Sequence, residues 1–286
     1  MIKQLTIIGV GLIGGSLARA LKRADVVDEV VGAGRDMQHL QQALMLGVVD
    51  RIETDLALAV QGADIVVVAT PVGAVETVFR SIARSLSPDT ILTDVGSTKV
   101  SVIAAAQAVF GQLPKNFVPG HPIAGTEKSG VEASFAELFE GRRIILTPTE
   151  NSAPQAITRV RTMWEQTGAE VVETGAEHHD DVLAATSHLP HLLAFSLVDT
   201  LAKLDDKQEV FEYAAGGFRD FTRIASSDPE VWHDICLHNR SALLKMLECF
   251  ETDLDKLRQA IADNDGDYLL QVFTHAKVTR DQFCGS

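Results

Sequence analysis

The stretch TIIGVGLIGGSLARALKRA (6–24) decides the fold. It opens with apolar, β-branched residues, as a strand buried on both faces does, and continues with apolar residues at helical spacing. Between the two, Gly9-Val10-Gly11-Leu12-Ile13-Gly14 spells GxGxxG where the strand gives way to the helix. A dinucleotide phosphate needs such a junction. Gly9 allows the tight turn, Gly11 lets the backbone approach a pyrophosphate, and Gly14 brings helix and strand close together. The free N–H groups at the helix start, around Leu12 and Ile13, then meet the phosphates with the positive end of the helix dipole. Gly9, Gly11, Leu12, Ile13 and Gly14 are therefore the expected cofactor contacts.

Working outward, the alternation continues. Strand-like runs at 28–35, 63–72 and 89–97 alternate with helical patterns at 37–47, 74–86 and 99–110. Such alternation implies βαβ units and a parallel sheet. Two further apolar runs, RRIILTP (142–148) and AEVVETG (169–175), flank a helical pattern and are expected to extend the same sheet. Right-handed crossovers then favour a Rossmann-type, doubly wound, mostly parallel arrangement. From about Glu177 onward no strand run stands out, and the patterns are helical. One helix has a clear start at DPEVW (228–232), with Asp228 as cap and Pro229 in its first turn. The expectation is a dinucleotide-binding domain, 1–175, followed by an all-helical domain, 176–286.

The 286 residues are 46% hydrophobic, enough for a real core. Lys+Arg 25 against Asp+Glu 39 leaves a net charge of −14, the wrong sign for a nucleic-acid partner. Three widely spaced cysteines, Cys236, Cys249 and Cys284, form no CxxC and suit a reducing compartment. With no signal peptide or long charge-free apolar run in the reading, a cytoplasmic protein without membrane association is expected.

The second strand sets the cofactor preference. An acidic residue at its end would bind the ribose of NAD, but Gly34 stands there with Arg35 beside it. A small residue followed by arginine accommodates a 2′-phosphate, so NADP is favoured over NAD. In an open α/β sheet the ligand sits beyond the carboxyl ends of the strands. ATPV (69–72) brings Thr70 and Pro71 there, and DVGSTK (94–99) brings Ser97. HPIAGTEKSG (121–130) follows a short extended run and should aim His121 into the same crevice. Histidine changes charge near neutral pH, which suits a proton transfer coupled to hydride transfer.

The segments GVGLIGGS, DVGSTK, GHPIAGTEKSG, SHLPH and GFRDFTRIASSDPEVWHDI together resemble the prephenate/arogenate (cyclohexadienyl) dehydrogenase family, in the family's order and over nearly the whole chain. The resemblance implies NAD(P)-dependent oxidative decarboxylation of prephenate or arogenate, giving 4-hydroxyphenylpyruvate or tyrosine in tyrosine biosynthesis. It implies that His121 takes the substrate hydroxyl proton and that Ser97 orients that histidine. By the same resemblance Arg223 grips the ring carboxylate; Asp220, three residues earlier, is expected to hold Arg223 in place. His191 reaches the substrate's side chain, Thr126 and Glu127 line the pocket, and His179 has a less certain role. His188 and His191 bracket Pro190, which should kink the helix. The helical half is implied to form a homodimer interface. His191 donating to a carbonyl leans towards prephenate, whereas the acidic field and Glu127 lean towards the ammonium of arogenate; acceptance of both is expected.

Two other readings compete. A different two-domain NAD(P) oxidoreductase, of the β-hydroxyacid dehydrogenase or imine reductase type, would place a lysine on the helical half, yet none lies between Ala176 and Leu201. A non-enzymatic NADP-responsive binding module would have no use for His121, Ser97 or Arg223. No third ligand accompanies His188 and His191, so no metal is expected.

Overall fold

The structure, a computed structural model, describes residues 1–284. Strand β1 (Ile2–Ile8) runs between β2 (Val27–Ala33) and β4 (Ile65–Val68), parallel to both. The sheet continues outward through β3 (Arg51–Glu53) on one side and β5 (Ile91–Asp94) and β6 (Phe117–Val118) on the other, in the order β3-β2-β1-β4-β5-β6. All its pairings are parallel. Every residue of β4 is buried, as a strand covered by helices on both faces requires. Helices α1 (Leu12–Arg23), α2 (Met37–Met45), α3 (Leu56–Ala59), α4 (Val75–Ile82) and α5 (Val100–Phe110) supply that cover. The chain leaves β1 for β2 on one side and later crosses to β4 on the other, so a crevice opens beyond their carboxyl ends.

The runs 142–148 and 169–175 do not extend this sheet. They form β8 (Arg143–Leu146) and β9 (Glu170–Glu173), which join β7 (Gly120–Ile123) in a separate three-stranded sheet, β7-β8-β9. In it β7 runs antiparallel to β8, with His121 opposite Ile145. Pro119 accounts for the break. It has no N–H for the ladder, so β6 ends at Val118 and the chain turns into a new strand at Gly120. Helix α6 (Pro154–Glu165) packs Trp164 and Met163 with Ile144 and Leu146, in the same core cluster as Leu5 and Ile7 of β1. The sequence reading also passed over the short β3 and α3. Asp55 caps α3 by accepting from the Ala57 N–H at 2.9 Å.

After β9 every described element is helical. α7 (Ala176–Leu183) leads through a π-helical turn, Ala184–His188, into α8 (Leu189–Ala202). The proline kink is thus realised as a widened turn immediately before Pro190. Within the continuous run 176–202 an 18-residue window reaches a mean hydropathy of 1.2, long and apolar enough to cross a membrane on those grounds alone. Here, however, it carries histidines into a protein cavity. Next come α9 (Lys207–Glu212), α10 (Gly216–Thr222), a 3₁₀ turn over Arg223–Ser226, and α11 (Pro229–His238). Asp228 caps α11 and Pro229 stands in its first turn, as expected.

By compactness the chain divides into residues 1–240 and 241–286. In the first, α11 is tied to the loop after β4 by the Gly73 N–H donating to Asp234 Oδ2 at 3.0 Å. The second holds most of α12 (Arg240–Ala262) and all of α13 (Gly266–Cys284). They are joined by a turn in which Asn264 takes φ 54° and Asp265 accepts from the Tyr268 N–H.

Candidate active site

The glycine turn has the geometry its spacing implies. Gly9 adopts φ +95°, and a Cβ there would lie 2.7 Å from the Ala69 carbonyl oxygen. A Cβ on Gly14 would lie 2.5 Å from the Gly9 oxygen, so α1 meets β1 only because the side chain is missing. Gly11, by contrast, faces open space, with nothing within 4 Å of its ideal Cβ. The first turn of α1 carries no acidic residue. Beside it, the Thr70 hydroxyl is buried without a hydrogen-bond partner among the described residues. An open backbone cradle, a helix start without negative charge and an orphaned hydroxyl fit a dinucleotide whose phosphates rest on α1. At the end of β2, Asp36 accepts from the Gln38 and His39 N–H groups and so caps α2. Arg35 is exposed and forms no ion pair among the described residues.

A cavity of about 840 Å³ opens from this turn across to the helical segment. It brings together Ser97, His121, Thr126, Glu127, His191 and Arg223, with Thr70 and Pro71 at the cofactor side. Arg35 and Asp220 lie outside it.

His121 projects from β7 and is 9% exposed. Its Nδ1 lies 2.9 Å from His179 Nε2, and His179 Nδ1 lies 2.8 Å from Asp180 Oδ1. The partner of the imidazole is therefore His179, and Ser97 makes no hydrogen bond to it among the described residues. Ser97 shares the cavity with His121, and the Nδ1 side of the ring is taken by His179. Burial, reinforced by the neighbouring His179, Lys99 and His188, holds His121 well below the usual imidazole range. It is neutral at physiological pH, as a proton acceptor must be.

A buried ion pair sets where His121 emerges. Lys99 and Asp94 are fully buried and bonded to each other, and Lys99 Nζ also donates to the Gly120 carbonyl at 2.7 Å. Asp94 in turn accepts from the Gly96 and Gly120 N–H groups at 2.7 and 3.2 Å. The end of β5 is thereby clamped to the start of β7, one residue before His121. Burial lowers the Lys99 pKa, and the Asp94 carboxylate opposes that shift.

Two further histidines line the cavity. His188 Nδ1 lies 3.0 Å from the Asn239 amide nitrogen, and that same nitrogen donates to the Asp180 carbonyl at 2.8 Å. Burial, followed by His179 and His191, outweighs the attraction of Asp180 and lowers His188 to about 4. His191 stacks on Trp232 with centroids 3.6 Å apart, and its Nδ1 lies 2.8 Å from the Ser187 carbonyl oxygen. A carbonyl only accepts, so Nδ1 carries the hydrogen and the neutral ring offers Nε2 as an acceptor. Burial lowers its pKa as well. The expected donation from His191 to a carbonyl does not fit that tautomer.

Arg223 pairs with Glu127 across the cavity, not with Asp220. Asp220 is exposed on α10, and the backbone changes to a 3₁₀ turn at Arg223, so the two do not meet as on a continuous helix face. The sequence reading assigned no role to Asp94, Lys99, Asp180, His188, Asn239 or Trp232. Asp94 and Lys99 stood in plain view within DVGSTK: two charges bracketing small residues after an apolar strand are a signal for a buried pair.

The descriptions of two family models match the chain: the nucleotide-binding domain of prephenate dehydrogenase over residues 17–173, and its dimerization domain over 175–275. The chain belongs to the prephenate dehydrogenase family. It is an oxidoreductase of the prephenate/cyclohexadienyl dehydrogenase type, and the competing two-domain oxidoreductase reading is not favoured. It is 44% identical to a cyclohexadienyl dehydrogenase of Zymomonas mobilis, over 97% of this chain and 95% of that one. Prephenate dehydrogenase from A. aeolicus, solved with hydroxyphenyl propionate and NAD+, superposes with a TM-score of 0.91 at 36% identity, covering 99% of this chain and 98% of that one. An arogenate dehydrogenase from Synechocystis superposes at 0.81 with 29% identity, covering 98% of this chain and 99% of that one. Prephenate and arogenate enzymes thus share this architecture.

Proposed function

We propose that the chain oxidatively decarboxylates both arogenate and prephenate, with NADP preferred over NAD and His121 as the proton acceptor. The observation that carries this is the neutral His121 at the wall of a cavity that begins at the GxGxxG turn. When bound, the nicotinamide supplies a hydride acceptor. His121 Nε2 takes the substrate hydroxyl proton as hydride leaves the same carbon. The bond to the ring carboxylate then breaks, CO₂ departs, and its electron pair completes the aromatic ring. His121 returns the proton to the phenolic oxygen, so the reaction releases no net proton. Arg223 supplies a planar fork for the ring carboxylate, and Glu127 shields its charge until substrate arrives. Ser97, Thr126 and Thr70 are polar contacts along the same wall.

Arogenate is the better substrate in this reading. The Nε2 lone pair of neutral His191 accepts from an ammonium and offers nothing to a carbonyl. The free guanidinium of Arg35 supports the NADP preference, because the Asp36 carboxylate beside it is occupied in capping α2. Residues 1–175 bind the dinucleotide, while 176–286 complete the substrate site and join two chains. Exposed Leu254, Ile261, Leu270 and Phe273 on α12 and α13 supply apolar surface for a homodimer. The unpaired thiols of Cys236 and Cys249 suit the cytoplasm.

The test is absorbance at the reduced-nicotinamide band with each substrate paired with each cofactor. Reduction is expected with both substrates, faster with NADP+, and lower by at least roughly 10²-fold in His121→Asn. Silence in all four combinations from folded protein overturns the assignment. Arg35→Ala should weaken NADP+ much more than NAD+, and equal losses would refute the phosphate contact.

A further inference from the structure

We propose that Asp180 and a neutral His179 act as positioning residues that hold His121 in its Nδ1–H tautomer, keeping the Nε2 lone pair free for the substrate hydroxyl. The inference rests on His121 being the proton acceptor. The direction of the chain of bonds follows from its far end. A carboxylate only accepts, so the 2.8 Å contact to Asp180 Oδ1 requires hydrogen on His179 Nδ1. Neutral His179 then presents Nε2 as an acceptor, and the 2.9 Å contact requires hydrogen on His121 Nδ1. The remaining nitrogen of His121 is its lone pair, at the cavity wall.

Asp180 is itself anchored. Its two oxygens accept from the Lys99 and Val100 N–H groups, at 2.8 and 3.0 Å, at the start of α5. Its backbone carbonyl accepts from Asn239. Those donors fix the carboxylate so that Oδ1 meets His179 Nδ1 as an acceptor. The charged and titratable groups facing the His pair are the Lys99 ammonium from just before α5 and His188 from the π-helical turn, besides Asp180. The three side chains are almost fully enclosed, with His179 at 1% and Asp180 at 4% exposure, so the arrangement sets a tautomer and offers no path to solvent.

¹⁵N NMR of histidine-labelled protein reads the tautomer directly at neutral pH, with His121 and His179 assigned through their substitutions. The wild type should show a hydrogen on His121 Nδ1 and none on Nε2, with His179 likewise singly protonated. Hydrogen on His121 Nε2, or a doubly protonated His179, overturns the proposal without recourse to any variant. Kinetically, His179→Leu should lower kcat by roughly 10²-fold with KM little changed, since the wrong tautomer removes the base but not the pocket. His179→Gln, whose amide oxygen can still accept from Nδ1, should recover much of that loss. Equal losses in the two variants, with the His121 signals unmoved, would mean that His179 only fills space. If His121→Asn is inactive while His179→Leu keeps wild-type kcat, this proposal fails and the catalytic reading survives. If His121→Asn stays active, the catalytic reading itself fails.

Discussion

Behind His121 lies a fully buried lysine whose charge is met by a single carboxylate. Asp94 neutralises Lys99, and removing one partner of a buried pair leaves the other uncompensated. Asp94→Asn should therefore cost about 3–5 kcal/mol in denaturant unfolding. The Arg223–Glu127 pair is its opposite, with 63% and 32% of the two side chains exposed. Glu127→Gln should change stability by less than about 1 kcal/mol, and its effect should fall on substrate affinity. That His121 faces the crevice was legible, because a histidine opening a stretch of glycines and hydroxyls has no packing explanation. Its partner was not. His179 lies far away in the sequence, and nothing in a pattern of spacings brings a strand residue against a helix residue from another part of the fold. The Asp220–Arg223 pairing was misleading for the opposite reason: the two are near in sequence, yet Asp220 is exposed and Arg223 turns to Glu127.

At the level of elements, the turn between β1 and α1 separates two roles that the motif merges. In Gly14→Ala the new methyl collides with the Gly9 backbone, so the domain should lose about 1–3 kcal/mol of stability. In Gly11→Ala it enters open space, so thermal stability should hold while cofactor affinity falls at least roughly tenfold. Unfolding midpoints and cofactor titrations of the two variants check this contrast. The strand–turn–helix was readable because three glycines, an apolar run and a helical period all point the same way. The second sheet was not. RRIILTP and AEVVETG have the composition of any buried strand, and only Pro119, which ends β6, diverts the chain away from the first sheet. The short β3 and α3 carry too few residues to show a period at all.

The whole molecule inherits an acid weakness from its buried histidines. His188 titrates at about 4 in the folded protein and near 6.5 when unfolded. Between those values the unfolded chain binds the proton and the folded chain does not, so stability falls as pH is lowered. From pH 6.5 to 5 this one residue should remove about 2 kcal/mol, with His121 and His191 adding in the same direction. Urea unfolding at the two pH values checks it, and equal stability would contradict the burial argument. Sedimentation at micromolar concentration should give twice the chain mass if the exposed apolar residues of α12 and α13 meet a second copy.

The most direct test of the central claim is kcat/KM for arogenate as a function of pH, measured within the range where the protein stays folded. For the free enzyme this profile reports the base that must be unprotonated. It should be level through neutrality and fall only well below pH 6.5, and the residual activity of His121→Asn should lack that acidic limb. A limb at or above pH 6.5, or one that persists unchanged in the variant, would mean that another group accepts the proton.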